Sequence, residues 1–194
     1  MRTSSVLAVP SARGRMHSLH FPPMKLIADA AEVDRLIRQL ADQIRSGVKD
    51  PRRLALIGIR RRGDVLAARL GEVMGIADVG SIDITLYRDD LSETGPMARV
   101  GKTHIPFSIQ GREVVICDDV IMTGRSVLAA IREILDFGRP ARLHLAVLVE
   151  RPEREIPIHA DFVGVKLAPG PGEKVDVRLV PQDDIDQISI NPRG

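Results

Sequence analysis

The stretch VVICDDVIMTGRS, residues 114–126, decides how the chain reads. With Glu113 before it, the run Val114, Val115, Ile116 and Cys117 has the continuous apolar character of a strand buried on both faces. It runs directly into two carboxylates, Asp118 and Asp119, then Val120, Ile121 and Met122. Thr123, Gly124, Arg125 and Ser126 follow as a small-residue turn that opens a helix over 125–136, ending near Gly138 and Pro140. Amides of a helix's first turn lack intrahelical partners and carry the positive end of its dipole, so they suit a phosphate. Gly124 lets the backbone approach closely, and Thr123 and Ser126 add hydroxyl donors. Two acids cannot hold a phosphate themselves. They accept hydrogen bonds from sugar hydroxyls or face a hydrated Mg²⁺. A phosphate beside a diol describes a ribose 5-phosphate. A pair of aspartates alone is more often a solvated turn; the whole pattern carries the argument. The spacing of a Walker loop is absent.

Working outward, LALIGI (54–59) is another continuous apolar run, followed by the basic loop RRRG (60–63). Asp64 is placed to cap a helix whose apolar side is Val65, Leu66, Leu70 and Val73. SIDITLY (81–87) alternates with period two, as a strand does. RLHLAVLVE (142–150), DFVGV (161–165) and KVDVRL (174–179) are further strand candidates. Near the start, Asp29 and Glu32 fit a capping box ahead of Val33, Leu36, Ile37, Leu40 and Ile44 at helical spacing, with Gly47 as the stop. Residues 88–111 read as a long loop, which in a compact domain is functional or mobile. Strand and helix alternate from 54 to 150, which predicts an α/β fold with a mostly parallel central sheet flanked by helices. Ligands in such sheets bind beyond the carboxyl ends of the strands, where Asp118 and Asp119 fall.

The chain's 194 residues suit one α/β domain, and 44% hydrophobic with 28% charged residues reads as globular. Residues 1–23 are expected to be a flexible N-terminal extension and 24–194 the folded domain. The extension lacks the apolar stretch of a secretory signal, and no run approaches the roughly 18 apolar residues of a membrane span, so a cytoplasmic protein is expected. The single cysteine, Cys117, excludes a disulfide or a cysteine-based zinc site within one chain. The histidines show no metal-ligand spacing. A formal net charge of +2 neither demands nor excludes a nucleic-acid partner.

The 114–126 stretch resembles the 5-phosphoribosyl 1-diphosphate (PRPP) motif of type I phosphoribosyltransferases. IDITLYRDDLS (82–92), GIRRRGDVLAARL (58–70), LAVLVERPEREIPIHADFVG (145–164) and EKVDVRL (173–179) are similar to one branch. That branch is the pyrimidine operon attenuation regulator and uracil phosphoribosyltransferase family, PyrR. The resemblance implies a parallel sheet with a mobile hood loop, and transfer of phosphoribosyl from PRPP to uracil, giving UMP and diphosphate with Mg²⁺. It implies that Asp118 and Asp119 hold the ribose hydroxyls and face the metal, while Met122, Thr123, Gly124, Arg125 and Ser126 cradle the 5′-phosphate. Arg60, Arg61, Arg62 and Gly63 match the diphosphate loop, since arginine pairs with phosphate bidentately. Arg88 opens the loop that closes over the site; with Arg61 and the two aspartates it makes up the expected catalytic set. The base is expected near Glu150, Arg151 and the backbone around Val163 and Lys174. A homodimer or higher oligomer and an mRNA leader are the implied macromolecular partners.

The sequence departs from the family in two places. Leu179 is followed by Val180 where members carry an acid, leaving Asp183 or Asp184 to substitute. In the regions that meet RNA, Pro152, Glu153 and Arg154 stand for Gly-His-Arg, Asp42 replaces a common histidine, and His159 an arginine. A carboxylate facing RNA phosphate is repulsive. Arg35, Arg38, Arg45, Arg52 and Arg53 offer compensating charge or form a solvated face. Two readings stay open: a uracil phosphoribosyltransferase, and a UMP-dependent RNA-binding transcription attenuator with weak or no catalysis. A hypoxanthine-type transferase is a third, opposed by Glu150, which would repel a purine O6.

Overall fold

A computed structural model describes residues 24–84 and 103–193. In chain order it contains β1 (Lys25–Ala28), α1 (Ala30–Gly47), β2 (Leu54–Ile59), α2 (Gly63–Met74), β3 (Val79–Ile82) and β4 (Glu113–Ile121). Then follow α3 (Arg125–Asp136), β5 (Arg142–Glu150), β6 (Phe162–Lys166), β7 (Glu173–Arg178) and β8 (Gln187–Pro192). A five-stranded parallel sheet runs in the order β3-β2-β4-β5-β6, and a separate three-stranded antiparallel sheet in the order β1-β8-β7. A mostly parallel central sheet flanked by helices is the architecture the sequence predicts.

The central strands are apolar throughout because both faces are covered. Leu56, Val115 and Leu148 pack under α1 and α2 against Val33, Ile37, Leu40, Ile44, Leu66 and Leu70. Ile57, Ile116 and Val147 pack on the other face against Val127, Ala130 and Ile134 of α3. Each such aliphatic side chain contributes about 1.5–3 kcal/mol relative to exposure. Asp29 caps α1 by accepting the Glu32 amide at 3.0 Å. The Glu32 carboxylate turns to Arg35 instead, so only half of the expected capping box forms.

Several boundaries differ from the sequence reading. β4 does not stop at Cys117 but runs through Ile121, because its second half continues to pair with β5, Val120 opposite Val149 and Ile121 opposite Glu150. The two aspartates are therefore strand residues at its carboxyl end. β3 begins at Val79 and ends at Ile82, where the Ile82 carbonyl accepts the Arg60 amide and the Asp83 amide turns to the Thr103 hydroxyl at 3.2 Å. Residues 85–87 of the expected strand lie outside the described residues. Helix α2 starts at Gly63 with Arg62 in the cap position, and the Asp64 carboxylate accepts the Val65 amide within the first turn rather than capping. Strands β1 and β8 escape sequence reading: they are short, and pairing with each other and with β7 rather than alternation defines them. Among the described residues no helix is long and apolar enough to cross a membrane. The expected extension, 1–23, lies outside the described residues.

Candidate active site

At the carboxyl ends of β2 and β4 the chain brings the basic loop over the aspartate pair. A Cβ on Gly63 would sit 2.4 Å from the Cys117 carbonyl oxygen and 3.1 Å from Asp118 Cα, so only glycine permits this approach. The Arg60–Arg61 peptide is cis, and Arg62 adopts φ 73°. Arg60, Arg61 and Arg62 line a cavity of ≈ 330 Å³ together with Asp118, Asp119, Ser126, Gln182 and Asp183. The Arg60 Nε donates to Ser81 Oγ at 3.2 Å and lies 3.5 Å from Asp64.

Asp118 is buried, and its Oδ1 accepts the Asp119 amide at 3.0 Å. Burial raises the pKa of Asp119 above the ordinary carboxylate value; the nearby Arg62 charge and the Asp118 hydrogen bond oppose this. Of the two acids offered as substitutes for the one missing at Val180, the structure brings in Asp183. Its carboxylate takes the Arg62 Nε at 2.8 Å and Nη2 at 2.9 Å, and accepts the Leu179 amide at 2.8 Å. The Arg62 hydrogen bonds, with the Leu179 amide, hold its pKa down at about 2 despite partial burial. Asp184 is exposed and not part of the cavity lining.

A second cavity, ≈ 290 Å³, shares Asp118, Asp119, Val120 and Ser126 with the first. It continues along Ile121, Met122, Thr123 and Gly124 to Val127, Arg151 and Val175. Gly124 caps α3 at φ 91°, a left-handed conformation that any side chain would strain. The Thr123 carbonyl accepts the amides of Glu155 and Ile156, and its hydroxyl accepts the Arg125 amide at 3.3 Å. The Arg125 guanidinium lies 2.6 Å from Glu155. Thr123, Gly124 and Ser126 at the start of α3 thus line one cavity together with the two aspartates at the end of β4.

A third cavity, ≈ 370 Å³, meets the second at Arg151 and is lined by Glu150, Arg154, His159, Lys166 and Leu167. Glu150 is compensated on both oxygens, by Arg154 at 2.7 Å and Lys166 at 3.0 Å. Glu150 therefore does not present an unopposed negative charge to this cavity. Arg151 is buried and pairs with Glu153 at 2.5 Å.

Val163 does not join this group. Its amide and carbonyl are both taken by the Gln43 side chain of α1, at 3.1 and 3.0 Å, because β6 is the sheet edge that α1 covers. Lys174 is exposed, and its neighbour Val175 lines the second cavity instead. Arg88 lies outside the described residues. Sequence reading missed the part played by Arg154. Its guanidinium donates to the carbonyls of Met122 at 2.5 Å, Arg151 at 2.6 Å and Ile158 at 3.0 Å as well as to Glu150, tying the turn after β4 to the third cavity. Its place beside the Glu150-Arg151 pair was the available signal.

The phosphoribosyl transferase domain matches residues 25–179. A protein named "Bifunctional protein PyrR" from Chloroflexus aurantiacus is 46% identical over 173 residues, covering 86% of this chain and 94% of that protein. A protein of the same name from Listeria monocytogenes is 45% identical over 175 residues, covering 86% and 96%. Among solved structures, a hypoxanthine phosphoribosyltransferase from Trypanosoma cruzi aligns with TM-score 0.64 at 20% identity, covering 86% of this chain and 94% of that one. A hypoxanthine-guanine phosphoribosyltransferase from Bacillus anthracis aligns with TM-score 0.63 at 18% identity, covering 87% and 97%. At those identities the two structures speak for the fold alone. The sequence relatives, the domain match and the aspartate-bearing strand agree: the chain belongs to the PyrR family of type I phosphoribosyltransferases.

Proposed function

We propose that the protein transfers phosphoribosyl from PRPP to uracil, forming UMP and diphosphate. One observation carries this reading: three cavities of different chemistry share walls in sequence. The first is arginine-lined, the second has aspartates opposite a helix start, and the third is bounded by Glu150, Arg154 and Lys166. Diphosphate, ribose 5-phosphate and base fit them in that order. In the reaction the C1′–oxygen bond to diphosphate breaks, the diphosphate leaving with the electron pair. The bond from uracil N1 to C1′ forms as N1 loses its proton.

Positive charge then develops on the ribose ring and negative charge on the leaving group. Arg60, Arg61 and Arg62 stabilise the leaving diphosphate. Asp118 and Asp119 accept hydrogen bonds from the ribose hydroxyls and stabilise the ring's charge. Met122 to Ser126 hold the 5′-phosphate, and Arg154 keeps that loop in register with the base cavity.

Among the described residues no group of three or more His, Cys, Asp or Glu is placed to enclose a metal ion. Adjacent hard oxygens of Asp118 and Asp119 nonetheless fit Mg²⁺, which takes one or two carboxylates and completes its shell with substrate phosphates and water. Bound there with the diphosphate, it would supply positive charge to the leaving group.

Uracil, PRPP and Mg²⁺ should yield UMP. Turnover with another base but not uracil would reassign the base, and none with any base would refute the transfer. A second reading, UMP-dependent binding of an mRNA leader, rests on the word "bifunctional" in the relatives' names. The first helix supports it little, since Arg35 pairs with Glu32, Arg38 with Asp34 and Arg45 with Asp42 on the same helix. A leader-RNA shift assay with and without UMP tests it.

A further inference from the structure

The three arginines of the diphosphate loop are not equivalent. Arg62 alone is gripped bidentately by a carboxylate, through Nε and Nη2, and the grip comes from a distant part of the chain. Asp183 is itself immobilised. Its amide donates to the Leu179 carbonyl at 2.8 Å and its Oδ2 accepts the Leu179 amide at 2.8 Å. The same segment is stapled a second time by Asp186, which accepts Arg69 Nη1 at 2.7 Å and the Val180 amide at 2.8 Å. Segment 179–186 thus forms a strap from the antiparallel sheet to α2 and its preceding loop. The side-on pairing occupies the Nε and Nη2 donors of Arg62 and spares those of Nη1.

Resting on the proposed phosphoribosyl transfer, we infer that Asp183 is a positioning residue for the reaction: it holds Arg62 so that the unused guanidinium donors serve the diphosphate. The alternative anion for Arg62 is Asp119, whose carboxylate already feels the Arg62 charge. Without Asp183, Arg62 turns to Asp119 and both are drawn away from the ligand. Losing the grip therefore weakens diphosphate binding, even though it removes a negative charge from the cavity. The acid missing at Val180 is in this account not replaced as a metal ligand but by a residue that acts through an arginine.

The test is calorimetric binding of diphosphate to the full chain, with and without Mg²⁺, alongside a melting curve for each variant. Asp183→Asn keeps an oxygen for the Leu179 amide and should bind diphosphate roughly tenfold more weakly in both conditions, as expected for a coupled pair. In steady state the same change should appear in KM for PRPP more than in kcat. Arg62→Lys keeps the charge, loses the fork and leaves the Asp186 staple in place; it should show the same loss, and parent-like diphosphate binding by Arg62→Lys overturns the inference even if Asp183→Asn does not fold. Asp186→Asn, which loosens the strap without touching Arg62, should bind diphosphate as the parent does. Combining Asp183→Asn with Arg62→Lys should add nothing further.

Unchanged or tighter binding by Asp183→Asn overturns the inference. So does a loss seen only with Mg²⁺, which would make Asp183 a metal ligand, or an equal loss in Asp186→Asn, which would make the strap's folding the cause. A parent protein that binds diphosphate normally but does not convert uracil leaves the inference standing and removes the base assignment. A parent that binds no diphosphate removes both.

Discussion

At the amino ends of β4 and β5, Glu113 and His144 are buried together. Glu113 Oε1 accepts the Lys49 and Asp50 amides at 3.0 and 3.3 Å, and Oε2 lies 3.0 Å from His144 Nε2. His144 Nδ1 is 4.0 Å from Asp161, which accepts the Leu145 amide at 2.8 Å, and its ring leans on Phe162. At the carboxyl ends of the same two strands stand Asp118, Asp119 and Glu150, also acids on apolar strands, but lining cavities. One end closes its carboxylate with backbone amides of the neighbouring loops. The other spreads donors among arginines and a helix start, and leaves space between them. An acid on a buried strand is structural or functional according to where its donors come from.

The sharpest way to test this contrast is to neutralise one acid at each end. Asp119→Asn should lower the rate of UMP formation about 10²–10³-fold, the scale of a lost electrostatic stabiliser. Because burial already disfavours the Asp119 charge, its melting temperature should stay or rise. Initial rates and a thermal melt check both halves; an unstable variant with normal turnover would reverse the assignment.

Gly63→Ala should come next. The added Cβ meets backbone at 2.4 Å, so strand or loop must shift, at a cost of about 1–3 kcal/mol in urea denaturation and with weakened PRPP binding. Glu113→Gln should do the opposite of Asp119→Asn. It should lose about 1–3 kcal/mol of stability as two amides and His144 lose a charged acceptor, with kcat and KM of the folded protein unchanged.

A smaller effect separates the ends by pH. Burial pushes the Glu113 pKa up, but the bonds from His144 and the two amides together bring it below the usual 4.5. A carboxylate depressed by folding stabilises fully above its unfolded value, and that contribution fades as pH falls through the folded value. Unfolding free energy measured against pH should therefore drop below about 4.5 for Glu113 and between 3.8 and about 2 for Asp183. Asp119, shifted upward, contributes with the reverse sign: its burial penalty is relieved once acid protonates it. Glu113→Gln should flatten the acid limb, and Asp119→Asn should not.

Much of the frame was legible because it is written in local periodicity. The six buried residues of β2 and the apolar stripe of α1 need no knowledge of their partners to be recognised. The aspartates with the Thr123–Ser126 turn were legible for the same reason: a sheet's carboxyl end and a helix's start are consecutive in the chain. What stayed hidden depended on side chains far apart in sequence. Nothing local distinguishes Asp183 from Asp184; the turn of the strap over Arg62 does. Nothing local says that Gln43 of α1 will take both backbone groups of Val163, or that Arg154 will knit the Met122–Ser126 turn to the cavity at Glu150.

The sequence by itself determined a parallel α/β sheet and the strand end at which Asp118 and Asp119 precede a helix-opening turn, since hydrophobic period and adjacent motif residues act over a few positions. Only the tertiary structure decided which acid serves which arginine and which end of the sheet stays open. Those outcomes depend on hydrogen-bond donors arriving from elsewhere in the chain, and a charged group's role is set by the partners that reach it.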